Sequence, residues 1–197
     1  FQWNTGVVTE DVIGLGAGLY SVTITDVNGC TTITTAEITQ PAGSLSAALT
    51  VNQNVLCFAG NTGSLDLTVS GGTLPYNFIW NTGAVTEDIS GLTTGIYTVS
   101  INDANGCIAS QTTFINEPSA ALISVINGTN NVSCFGGNNG NANLDVTGGT
   151  APYNYNWSNG ETTEDLTGLV AGTYTVNVTD ANGCTSSAQT TVQAIGT

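Results

Sequence analysis

The residues of this sequence most able to do covalent chemistry are five cysteines, and their spacing is periodic. Cys30, Cys107 and Cys184 stand 77 residues apart, and so do Cys57 and Cys134. The chain has no histidine and no Cys-x-x-Cys, so a zinc centre, which needs clustered thiolate or imidazole ligands, is disfavoured. Disulfide chemistry remains, and it points to an oxidising, extracellular setting. Two pairings fit. Within a repeat, Cys57 joins Cys107 and Cys134 joins Cys184, and the partner of Cys30 lies upstream. Across a boundary, Cys30 joins Cys57 and Cys107 joins Cys134, clamping neighbours into a stiff rod. The first is preferred because it makes each repeat self-contained. Closing some 50 residues would stabilise by roughly 4 kcal/mol in the loop-entropy model. Buried free thiols are the third reading.

Carboxylates are the other candidates. Asp26, Asp103 and Asp180 each precede an x-Asn-Gly-Cys sequence. As hard oxygen donors they suit calcium, the one cofactor these residues suggest. Against calcium, an Asp before Asn-Gly is an ordinary turn residue, its carboxylate accepting a backbone N–H two residues on. The pairs Glu10-Asp11, Glu87-Asp88 and Glu164-Asp165 point to opposite faces of a strand, so they cannot flank one bond. With no Lys, Arg or His, the chain offers almost nothing for catalysis, and we expect a non-enzyme. The rows Tyr76, Phe78, Trp80 and Tyr153, Tyr155, Trp157 carry rings that can stack on sugars. Alternating spacing assigns them to a core instead, and Trp3 is expected there too.

The elements that must position these groups are strands. Tyr97 to Cys107 reads Tyr-Thr-Val-Ser-Ile-Asn-Asp-Ala-Asn-Gly-Cys, and Tyr20–Cys30 and Tyr174–Cys184 nearly repeat it. Apolar residues alternate with polar ones, the period of a half-buried strand. A tight turn follows, Asp opening it and Gly closing it. Leu45-Ala47-Leu49-Val51, Leu65-Leu67-Val69 and Tyr76-Phe78-Trp80 alternate likewise. A short edge strand or two is predicted within 84–89 and a loop over 91–95. On the return strand Cys107, Ala109 and Ile115 share a parity and are predicted to face inward.

Tandem repetition sets the organisation. Pro41 and Pro118 suit strand ends and mark the expected boundaries. Residues 1–41 are the C-terminal half of a repeat, and 42–118 and 119–197 are complete repeats. We read the chain as an excerpt of a longer array, since half a sandwich cannot bury its own apolar face. About seven short strands per repeat, with no helical period, predict an all-β fold. The class is a tandem of Ig-like β-sandwiches, strung as beads in an extended array.

Charge narrows the partners. Fourteen acidic residues against no Lys or Arg give a net charge of −14. Nucleic acid binding rests on cations that neutralise phosphates, and an anionic membrane surface demands the same. No apolar run approaches the ~20 residues of a membrane span. Neither nucleic acid nor direct membrane insertion is expected. The same composition removes every trypsin site.

Cys134-Phe135-Gly136-Gly137, Gly148-Gly149-Thr150-Ala151-Pro152-Tyr153 with Trp157-Ser158-Asn159-Gly160, Gly172-Thr173-Tyr174 and Asp180-Ala181-Asn182-Gly183-Cys184 resemble the SprB repeat. That repeat occurs in very large surface adhesins of gliding Bacteroidetes. The resemblance implies an Ig-like, PKD-like fold and a cell-surface filament exported by type IX secretion, serving adhesion or gliding. The expected function is therefore a structural stalk. One alternative is a glycan- or ion-binding module using sandwich loops. Another is a self-assembling fibre subunit completed by strands from a neighbour. Expected partners are neighbouring repeats of the same or an adjacent chain, with surface glycans under the alternative reading.

Overall fold

The computed structural model describes residues 1–194. The alternating stretches become β-strands, and no helix occurs among the described residues. The first unit holds β1 (Gln2–Trp3), β2 (Gly18–Thr25) and β3 (Thr31–Ile38) in one antiparallel sheet. The second holds β4 (Ser46–Gln53), β5 (Gly63–Ser70), β6 (Asn77–Trp80), β7 (Ile89–Leu92), β8 (Gly95–Asn102) and β9 (Ile108–Ile115). The third repeats that set as β10 (Ile123–Asn130), β11 (Gly140–Thr147), β12 (Asn154–Trp157), β13 (Leu166–Leu169), β14 (Gly172–Thr179) and β15 (Thr185–Val192).

Each complete unit is two three-stranded sheets, ordered β4-β5-β7 and β6-β8-β9 in the second and β10-β11-β13 and β12-β14-β15 in the third. Lettering the six strands A, B, C, E, F and G gives sheets ABE and CFG. This is the immunoglobulin arrangement without its D strand. The Tyr97 hydroxyl donates to the Thr93 carbonyl at 2.9 Å and the Tyr174 hydroxyl to the Val170 carbonyl at 3.0 Å. Both reach back across the E–F corner, as the tyrosine of Ig-type sandwiches does. The chain is thus a tandem of Ig-like β-sandwiches.

Period-two patterning decides what is buried. On β8, Tyr97, Val99 and Ile101 are buried, and on β14 Tyr174, Val176 and Val178. They face Leu65 and Leu67, or Ala142 and Leu144, on the opposite sheet. Trp80 and Trp157 fill the middle of each core. Each indole N–H donates at 2.9 Å to a backbone carbonyl, of Thr86 or Thr163, so the polar handle of a buried Trp is satisfied. Tyr76, Phe78, Tyr153 and Tyr155 pack against these cores from their margins.

Three local expectations differ from the structure. Among the described residues, complete units have six strands rather than about seven. The short strand after the Trp turn lies at Ile89–Leu92, not within 84–89. Gly91 bends its middle at φ 72°, while its ends, Ile89 and Leu92, reach the core. The Asp88 carboxylate holds this strand to its neighbour by accepting the Leu67 amide at 2.9 Å. Finally, Cys107 is exposed in the β8–β9 turn, although Ala109 and Ile115 do face inward. The turn ends the pleat, so strand parity no longer governs Cys107.

Ile101 and Ile96 lie on one strand but on opposite faces, and they separate burial from propensity. Ile101→Ala is expected to destabilise the second unit by about 2–5 kcal/mol. Ile96→Ala, at a 63% exposed position, should cost within about 0.5 kcal/mol. Chemical denaturation of the two variants checks this, and equal losses would refute the assigned faces.

Candidate functional site

The sequence Asp-x-Asn-Gly-Cys forms the same turn in every unit. In the second unit, Asp103 Oδ1 accepts the amides of Asn105 at 2.9 Å and Cys107 at 2.8 Å. In the third, Asp180 Oδ1 accepts those of Asn182 and Cys184 at the same distances. Asp26 does likewise with Asn28 and Cys30. The second carboxylate oxygen ties the turn to the opposite sheet, Asp103 Oδ2 accepting the Thr73 amide and Asp180 Oδ2 the Thr150 amide, both at 2.9 Å. This approach requires glycine beside it. A Cβ on Gly72 would stand 2.9 Å from Asp103 Oδ2, and one on Gly149 2.8 Å from Asp180 Oδ2.

These aspartates are therefore anchors of backbone amides. Burial pushes the Asp103 carboxyl up, but the amides of Cys107, Thr73 and Asn105 outweigh it and hold the group below 3.8. As calcium candidates, Asp26, Asp103 and Asp180 stand one per unit and do not converge. Among the described residues no three metal-ligating side chains cluster.

The disulfide pairings expected within repeats are not those of the structure. Cys57 is bonded to Cys184, with sulfurs 2.02 Å and Cα atoms 5.7 Å apart, across 127 residues of sequence. Cys107 and Cys134 are free and exposed, as is Cys30. The reason is position along the sandwich. Cys57 follows β4, beside the end of β9, where the Val55 amide donates to the Asn116 carbonyl. Cys107 lies at the far end, where β8 turns into β9. Eight-residue strands separate the two ends by roughly 25 Å, far beyond the ~7 Å that a disulfide can span between Cα atoms. The boundary-crossing pairings, Cys30 with Cys57 and Cys107 with Cys134, are absent as well.

What the bond closes is the junction between the second and third units. The loop after β4 leaves one end of the second sandwich, and the Asp180 turn caps the near end of the third. Asn182 Nδ2 donates to the Leu56 carbonyl at 3.0 Å and to Thr150 Oγ1 at 3.0 Å, bridging the two units. Glu117, in the linker, accepts the Ala59 amide at 2.6 Å. That amide belongs to a residue held at φ 56°. Sequence reasoning missed Asn182 and Glu117. The Asn kept in all three turns was the available signal, since the turn's own geometry does not need its side-chain amide.

Acid should act on this site through Asp103. A carboxyl held low in the folded state contributes stability that is present above its unfolded value and lost as pH falls through the folded one. The second unit's melting temperature should fall as pH drops below about 4. Asp103→Asn should melt lower at neutral pH and show a flatter acid limb. Thermal melts across pH 2–7 check this, and superimposable profiles would refute the anchor.

No curated protein matches the chain. Among solved structures, three N-terminal domains of the bacteriophage RB49 Hoc capsid protein match at 20% identity and TM-score 0.43, over 77% of this chain and 59% of that one. A C-terminal intimin fragment in complex with the intimin-binding domain of its receptor matches at 13% identity and TM-score 0.43, over 77% and 64%. A tetra-tandem repeat from the extending region of a large adhesion protein matches at 18% identity and TM-score 0.29, over 93% and 59%. The chain thus matches about three fifths of the length of each. Residues 49–85 and 127–162, corresponding parts of two successive units, match the SprB repeat.

Proposed function

We propose that this chain is a segment of the extended stalk of a secreted cell-surface adhesin, a tension-bearing spacer supporting adhesion or gliding. The covalent junction carries this reading. A sandwich strung on a free linker transmits force only through its own fold. Here the Cys57–Cys184 bond joins two units directly, in parallel with the linker, and bypasses everything between those residues. Near-identity of the Asp-x-Asn-Gly-Cys turns supports a spacer, because a binding module diverges at its loop tips. An oxidising exterior is where such a bond persists. A net charge of −14 with no cationic side chain keeps long copies soluble and apart. Neighbouring units are the partners this reading requires.

Pulling single molecules from their two ends tests it. Under oxidising conditions the residues inside the ring are shielded, and unfolding should release only the segments outside it. Reduction should add the 127 bypassed residue steps, a gain of roughly 420–460 Å at about 3.3–3.6 Å per residue. Equal contour lengths with and without reductant would refute the tension-bearing role.

A further inference from the structure

The structure holds one closed junction and two open halves. On the second unit, a groove of about 340 Å³ is bounded by the segment 40–45 on one side and by Gly72, Asp103 and Cys107 on the other. The corresponding surface of the third unit, beside Gly149, Asp180 and Cys184, is where the Leu56–Cys57 loop sits. The two places are built alike, turn for turn, and differ in occupancy. Asn182 Nδ2 donates both to Thr150 Oγ1 and to the Leu56 carbonyl, whereas Asn105 Nδ2 donates to Thr73 Oγ1. Cys184 is half-buried and bonded, while Cys107 is exposed and free.

The other half is the loop of the third unit that carries Cys134. The Gly137 amide donates to the Cys134 carbonyl at 3.0 Å, as the Gly60 amide does to the Cys57 carbonyl at 2.8 Å. The Ser133 amide is held by Asn139 Oδ1 at 3.0 Å, as the Leu56 amide is by Thr62 Oγ1 at 2.8 Å. Gly136, at φ 75°, matches Ala59 at φ 56°. The Cys134 loop therefore has the shape of the docked one without being docked.

We propose that the groove beside Cys107 is a socket for the cysteine loop of a unit of this same kind standing before it, and that the Cys134 loop is the matching plug for a unit standing after. The occupant is committed by the filled copy of the site on the third unit. Each contact forms a disulfide from two thiols. One thiolate attacks a low-molecular-weight disulfide and expels a thiol. The second thiolate then displaces the other thiol from the mixed disulfide. Two protons and two electrons leave the cysteines, and the oxidant ends as two thiols.

Repetition of this bond has a consequence that a single junction lacks. Cys107 and Cys134 both lie inside the ring closed by Cys57 and Cys184, so successive rings overlap. The shortest covalent path along such an array then crosses only the segment from Cys107 to Cys134 before entering the next bond. Of each pair of sandwiches only the last strand of one, β9, and the first strand of the next, β10, lie on that path, so the array gains little length even with its units unfolded. This deepens the stalk reading and rests on it for its purpose, but not for the pairing.

The test extends the full chain in register. Phe1 corresponds to Phe78 and Thr197 to Ala120. A copy of residues 42–77 placed ahead of Phe1 completes the first unit and supplies a second copy of Cys57. A copy of residues 121–197 placed after Thr197 supplies a second copy of Cys184. Each extended chain is equilibrated with oxidised and reduced glutathione, alkylated, cleaved with a Glu- and Asp-specific protease and mapped by mass spectrometry. Expected are a bond from the added cysteine loop to Cys107 in the first chain and from Cys134 to the added turn in the second. Cys57–Cys184 should be intact in both and reports folding of the parent portion of the same molecules. Cys107 and Cys134 still fully alkylated, or the added loop bonded to Cys30, would overturn the proposal. That result would leave the contour-length gain from Cys57–Cys184 untouched. Loss of that gain with the new bonds closed would remove the stalk reading and keep the clamp.

Discussion

Burial between two facing sheets is the constraint on which this structure depends. No side chain carries a positive charge, so ion pairs between side chains contribute nothing, and the apolar faces must be covered by each other. Val99, Ile101 and Ile115 are completely buried in the second unit, and Val176, Val178 and Val192, at the same positions of the third, are at most 1% exposed.

The polar residues act at the edges of that burial. Asp103 and Asp180 are nearly inaccessible, yet each accepts three backbone amides, so the charge is compensated where it is buried. They fasten the turn of one sheet to the Gly-Gly-Thr corner of the other. Asp88 and Asp165 hold the short fourth strand of each unit in the same way. A chain poor in charge thus places several of its carboxylates at backbone positions that a neutral side chain would satisfy less well.

The connection between the second and third units depends on the same turns. Once Asp180 has fixed the Asn182–Cys184 backbone, the Asn amide and the Cys sulfur both face the loop of the preceding unit. The linker at Glu117-Pro118 is then one of several connections rather than the single one. The junction is covalent, hydrogen-bonded and capped by the Glu117 carboxylate at the Ala59 amide.

The sequence by itself determined the strands, the faces they bury, the turn at each Asp-x-Asn-Gly and the tandem repetition. These depend on near neighbours: side-chain alternation fixes Val99 inward and Ile96 outward, and a carboxylate two residues before an amide fixes the turn. It misplaced the strand at Ile89–Leu92, because a glycine bend let both ends of four residues reach the core. The cysteine partners were decided by the tertiary structure alone. Spacing along the chain says that Cys57 and Cys107 share a unit, but not that eight-residue strands hold them at opposite ends of it. Only the head-to-tail placement of two sandwiches brings Cys57 to Cys184, because the loop and the turn that meet lie at opposite ends of each repeat.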